Sequence, residues 1–150
     1  MKVSKVNQYS VFLINEPGAL EKFANLLYSA GLDISGLSSE VRYEAAVVKF
    51  VLSDSERDKH EVLKLMTRGG YTAVRTEAIC VEVDSRPGIM AKLGRVLSGN
   101  SINITTIFGS SFAGSPSRIY LVVDEIDRAL KVLDKEFRPE EEKSSMDEKK

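Results

Sequence analysis

Two short stretches hold the residues best placed to do chemistry. Residues 15–22 read NEPGALEK and residues 85–92 read SRPGIMAK, with the prolines 87 − 17 = 70 positions apart. In each, a polar pair (Asn15-Glu16, Ser85-Arg86) precedes Pro-Gly and apolar residues follow. Proline fixes φ and lacks an N–H, so it suits the start of a helix, where donors have no intrahelical partner anyway. Glycine has no side chain and lets a ligand come close to the backbone. The amides of Gly18, Ala19 and Leu20, and those of Gly88, Ile89 and Met90, would then point out of two helix N-termini. Such ends carry partial positive charge and suit a carboxylate or phosphate. A lone Pro-Gly reads first as a plain strand-to-helix turn. Two in register, each between a strand and an amphipathic helix, argue for a paired role.

Other chemistry finds little support. His60 is the only histidine and lies on the polar side of SERDKHE, a solvated position. Cys80 is the only cysteine, so no internal disulfide can form, and its apolar neighbours make it a small buried hydrophobe. No cluster with zinc-like spacing is present, and neither a metal nor a cofactor is expected. The segment GSSFAGSPS (109–117) lacks the spacing of a phosphate-binding loop and reads as a hairpin or flap between strands. Asp124, Glu125 and Asp127 read as caps of the last helix.

The elements that must position these residues follow from periodicity. Residues 8–14 read as a strand, and Leu20, Phe23, Ala24 and Leu27 form one helical face that ends at Gly31. Residues 32–40 and 45–52 read as paired strands, 55–68 as a helix stopped by Gly69-Gly70, and 71–76 as a fourth strand. The order is βαββαβ, the ferredoxin-like unit. Residues 78–84 begin it again. Met90, Leu93, Gly94 and Leu97 repeat the first helical face at the same offset, and SINITTIF (101–108) aligns without a gap on GLDISGLS (31–38). A strand over 118–124 and a stripe of Ile126, Ala129, Leu130, Leu133 and Phe137 follow. The chain is therefore expected to be α+β, an internal duplication of two ferredoxin-like βαββαβ repeats with antiparallel sheets and helices on one face. The second repeat lacks a clear fourth strand. The domains are expected at 1–77 and 78–138, with a charged, disordered tail over 139–150.

A strand, then N-x-P-G-x-L opening a helix, then a glycine and a strand containing D/N-I, resembles the ACT domain. Here the pattern stands as NEPGAL with GLDI and as SRPGIM with SINI. The resemblance covers roughly 8–76 and 78–137 and is nearest to stand-alone tandem ACT proteins. It implies a regulatory module that binds a small molecule, most often an amino acid, where two ACT units meet. The loop before the first helix of one unit would face the start of the second strand of its neighbour. Carried over, Asn15, with Glu16 beside it, would face Asn103. An Asn amide can hold a carboxylate and an ammonium group at once. The reciprocal site would pair Ser85 with Asp33, which repels a carboxylate but holds an ammonium, while Arg86 could clamp the carboxylate. Two unequal sites follow, the Asn15/Asn103 site being the better fit to an amino acid. Leu20, Ile34, Met90 and Ile104 would read the ligand's side chain by shape.

A net charge of −1 with no long basic stretch excludes a dedicated nucleic-acid binder. No apolar run reaches the roughly 18 residues needed to span a bilayer, and the first ten residues lack the apolar core of a signal peptide. A cytoplasmic homo-oligomer, a dimer, is expected, with an amino acid or similar metabolite as ligand and a metabolic enzyme or regulator as partner. Two other readings compete. One is an assembly module that binds no ligand and uses an exposed sheet edge. The other is an acylphosphatase-like hydrolase using Arg86 and Asn103, although no nucleophile–base pair stands out and no enzyme is expected.

Overall fold

The computed structural model describes residues 2–54, 57–110 and 116–137. The charged segment 139–150 and residues 111–115 of the proposed flap lie outside the described residues. Its elements run β1 (Lys2–Ile14), α1 (Ala19–Ser29), β2 (Ile34–Arg42), β3 (Ala45–Leu52), α2 (Lys59–Arg68), β4 (Ala73–Val83), α3 (Ile89–Gly99), β5 (Ile104–Ser110), β6 (Ser117–Val123) and α4 (Ile126–Phe137). They divide into two compact units. One is Val6–Glu77. The other joins residues up to Lys5 with the chain from Ala78 onward.

In the first unit the strand order is β2-β3-β1-β4. β1 and β2 both run antiparallel to β3, with Phe12 opposite Val47 and Leu37 opposite Phe50. Side chains alternate along a strand, so Tyr9, Val11 and Leu13 turn one way and are buried, while Phe12 and Ile14 turn the other and are exposed. The buried set meets Phe23 and Leu27 of α1, and Val62 and Met66 of α2. Phe50 stacks on Tyr9 with ring centroids 5.4 Å apart and takes the edge of Phe23 at 5.3 Å.

The second unit repeats this core. Ile79, Val81 and Val83 of β4, with Ile119, Leu121 and Val123 of β6, pack on Leu93 and Leu97 of α3, and on Ala129, Leu133 and Phe137 of α4. Residues 78–137 supply three strands of their own. The position of the fourth is occupied by Lys2–Lys5, the start of β1, which lies beside β4 and adds Val3 to this core.

Residues 71–76 and 78–84, read from the sequence as separate strands, form the single strand β4. No glycine or proline stands between Ala73 and Val83 to turn the chain, so it stays extended through Glu77. Among the described residues, no helix is long and apolar enough to cross a membrane.

Candidate functional site

The two Pro-Gly corners have nearly the same backbone. Gly18 adopts φ 87° and ψ −12°, and Gly88 adopts φ 89° and ψ −9°, each capping the helix that follows. This left-handed conformation penalises any side chain at Cβ. A Cβ placed on either glycine would meet nothing within 4 Å. Backbone conformation therefore requires the glycine, and the space beside it stays open. The Lys22 N–H donates to the Gly18 carbonyl at 3.0 Å, and the Lys92 N–H to that of Gly88 at 2.9 Å.

Neither α1 nor α3 has a side-chain cap. α2 shows the alternative: Asp58 accepts from the His60 N–H at 2.8 Å. The two Pro-Gly helices thus begin without the side-chain acceptor that blunts the positive end of α2. Beside each open end stands an apolar side chain that its core does not cover. Leu20 and Met90 open the two helical faces, and both are 48% exposed, whereas Phe23, Leu27, Leu93 and Leu97 are buried. Ala19 and Ile89, next to them, are half-buried. The corners differ in charge. Glu16 and Glu21 flank the start of α1, while Arg86 precedes α3, whose first turn has no acid.

The other half of the expected site is the start of β2 or β5. Asp33 is held by its neighbour strand: its carbonyl accepts from the Ser53 N–H at 2.9 Å and its Oδ2 from the Ser53 hydroxyl at 2.6 Å. Asn103 is anchored through its backbone. Its N–H donates to Asp124 Oδ1 at 3.0 Å and its carbonyl accepts from the Asp124 N–H at 3.2 Å. Asp124, expected to cap the last helix, pins the start of β5. Sequence reasoning missed both Ser53 and this use of Asp124; the signal was the alignment of Asp33 with Asn103, each anchored by the end of the next strand. Ile34 and Ile104 follow as half-buried residues.

Within one unit these halves do not meet. The Asn15 N–H donates to the Glu44 carbonyl at 2.9 Å, at the start of β3, whereas Asp33 bonds Ser53, just past its end. The eight residues of β3 between them span about 26 Å. In the second unit, Ser85 and Arg86 follow Val83, which pairs with Ser117 at the start of β6, while Asn103 is tied to Asp124 beyond its end. Seven residues of strand separate these, about 23 Å. Arg86 and Asn103 of one unit therefore cannot grip one phosphoryl group, as the hydrolase reading requires.

Burial, reinforced by Glu82, pushes the Cys80 thiol up to about 11, so it stays protonated and unreactive at neutral pH. Among the described residues, no group of three or more His, Cys, Asp and Glu side chains could hold a metal ion.

The fold has well-covered structural relatives. Protein BT0572 from Bacteroides thetaiotaomicron superposes with a TM-score of 0.78 at 18% identity, covering 89% of this chain and 90% of that one. The ligand-free regulatory subunit of aspartate kinase from Thermus thermophilus gives 0.66 at 16% identity, over 92% and 98%. The corresponding subunit from Thermus flavus gives 0.59 at 18%, also over 92% and 98%. Comparison with curated proteins finds no match. The family model of the ACT domain pair matches residues 4–146. Two ferredoxin-like cores whose Pro-Gly glycines share one conformation, matched by that model almost end to end, place the chain in the ACT domain pair family.

Proposed function

We propose that this protein is a regulatory sensor of a small zwitterionic metabolite, an amino acid, with no chemistry of its own. The observation that carries this is the repeated corner: an uncapped helix end, a left-handed glycine with open space beside it, and a half-exposed Leu20 or Met90. The amides receive a carboxylate, the apolar residue meets the ligand's side chain, and an amide or carboxylate from the start of a β2-type strand holds the ammonium. Because the two halves stand at opposite ends of a unit, each site takes its corner from one ACT unit and its strand start from another. Asn15, Glu16, Gly18, Ala19 and Leu20 would work with Asn103 and Ile104. Ser85, Arg86, Gly88, Ile89 and Met90 would work with Asp33 and Ile34. The fold shared with regulatory subunits of aspartate kinase supports the regulatory reading, and the proposal extends it to a cytoplasmic homodimer acting on a metabolic enzyme or regulator.

The test is a thermal-shift screen against the twenty amino acids at millimolar concentration. A ligand at about 100 times its Kd stabilises the folded state by roughly 2.7 kcal/mol. One or a few amino acids are expected to raise Tm, and Asn15→Ala or Asn103→Ala to abolish the rise. No shift with any of them refutes the amino-acid reading. A shift indifferent to both substitutions refutes the pairing of halves.

A second reading rests on β2 and β5, the two terminal strands of the sheet order, each hydrogen-bonded to one neighbouring strand. Such edges recruit another chain. Self-association on concentration, indifferent to every amino acid, would favour an assembly module.

A further inference from the structure

We propose that the first unit holds a second, separate ligand site for an anionic molecule with an apolar body, in the groove between the end of α1 and the outer side of α2. The groove has a volume of about 350 Å³, within the range of small-molecule sites. Its floor is apolar, formed by Leu32 and Val62, 9% and 1% exposed, with half-buried Leu65 beside them. Its rim is basic. Arg57, Lys64 and Arg68 line it against a single carboxylate, Glu61.

The spacing of these groups sets what fits. Lys64 and Arg68 stand one helical turn apart on α2, with Cβ atoms about 5–6 Å from each other, so both reach one dianionic head group. Among the described residues neither is paired with a carboxylate. Leu65, adjacent to Lys64, and the floor residues would take the apolar body. A dianion is favoured over a monoanion because two cations converge on it, and a planar guanidinium beside an ammonium suits a phosphate or a carboxylate pair.

The second unit supplies a comparison inside the same chain. Leu133 and Phe137 of α4 take the core positions of Val62 and Met66, so Glu136 stands where Leu65 stands in α2. Glu136 closes the seam to α3 through Lys92 at 3.3 Å, and Lys92 lies 4.9 Å from the Phe137 ring centroid. In the first unit Leu65 puts an apolar side chain where the second unit has that carboxylate, so Glu61 is the single acid among the groove's lining residues. The site is built from residues that play no part in the Pro-Gly corners.

The experiment is a methyl-detected NMR titration of the full chain, following Leu32, Val62 and Leu65. The probes are phenyl phosphate and phenylsuccinate; inorganic phosphate and benzyl alcohol are the controls. Saturable shifts of these methyls with a dianionic probe are expected. Binding of phenyl phosphate alone assigns a phosphate ester, and of phenylsuccinate alone a dicarboxylate. The variant Lys64→Gln with Arg68→Gln, both exposed, is expected to weaken binding by roughly tenfold for each cation removed. It is expected to leave any amino-acid thermal shift at the Asn15 corner intact, which separates failure of this site from failure of that one. Leu65→Glu, which restores the carboxylate of the second unit, is expected to abolish binding. Linear shifts with both dianions, equal binding of benzyl alcohol, or unchanged affinity in the double variant would overturn the proposal.

Discussion

Gly18→Ala and Gly88→Ala test whether the corners are dictated by backbone conformation. Both glycines sit near φ 88°. A Cβ in the left-handed region costs about 1–2 kcal/mol through its clash with the following carbonyl. Nothing lies within 4 Å of the new methyl at either position, so no packing penalty is added. Alanine also lowers the entropy of the unfolded chain, which offsets about 0.4–1 kcal/mol. The expected net loss is about 1 kcal/mol for each substitution, and similar for the two because the angles are alike. Gly94→Ala is the internal control. Gly94 lies inside α3 with open space at Cβ and no positive φ, so the same chemical change should stabilise by about 0.8–1 kcal/mol. Equilibrium urea unfolding, followed by circular dichroism, reads all three. The two signs should be opposite within a single helix and its cap. If Gly88→Ala is as stable as Gly94→Ala, the conformational argument fails. If Gly18→Ala keeps its stability yet loses the amino-acid response, the glycine serves ligand approach instead.

The alignment of the repeats yields a second pair of substitutions. Ser101 adopts φ 56° where the first repeat has Gly31 at φ 68°. Ser101→Gly should stabilise by about 1 kcal/mol and Gly31→Ser destabilise by a similar amount, measured by the same unfolding curves; matching signs would refute the equivalence. Asp124→Ala removes the acceptor of the Asn103 N–H. It should cost about 1 kcal/mol and speed hydrogen exchange of the Asn103 amide, while the Asp33–Ser53 end of the other unit stays protected. Cys80, with its thiol raised from 9.0 to about 11, carries a pH signature. Between these values the unfolded thiol loses its proton while the folded one keeps it, so stability falls as pH rises from 9 to 11, by about 2–3 kcal/mol from this group. Cys80→Ala should flatten that slope relative to the parent chain, and an unchanged slope would show that other groups carry it.

The duplication was legible because the features that specify a fold are local and periodic. The apolar faces around Phe23 and Leu27, and around Leu93 and Leu97, fix which side of each helix is buried, and both pairs are buried. Leu20 and Met90 belong to the same stripes by spacing yet remain 48% exposed. Periodicity reports the direction in which a side chain points; how far the core extends along the helix depends on tertiary packing. Strand ends were less legible for the same reason. Nothing in the local pattern says that Lys2–Lys5 continues β1 and lies beside β4, since a strand edge is completed by pairing with residues far away in sequence. Asp124 was readable as a helix cap because the residue type suits both roles; its choice of Asn103 is set by strand register.

The duplicated scaffold also separates what folding holds fixed from what it leaves free. Gly18 and Gly88 agree to within a few degrees, and Leu20 and Met90 agree in exposure, although their neighbours share little. The polar positions have diverged: Glu16 against Arg86, Asn15 against Ser85, Asp33 against Asn103. A helix end with Glu16 and Glu21 beside it repels a carboxylate unless an ammonium group is bound nearby, whereas the α3 end, with Arg86 and no first-turn acid, attracts one directly. On the proposed function, these flanking charges would favour a zwitterion over a simple carboxylate at the α1 corner and would let the α3 corner draw a carboxylate more strongly. Raising ionic strength should weaken a simple carboxylate at the α3 corner more than a zwitterion at the α1 corner, because only the former relies on net charge. Equal salt dependence at the two corners would mean that the flanking charges do not govern what each one binds.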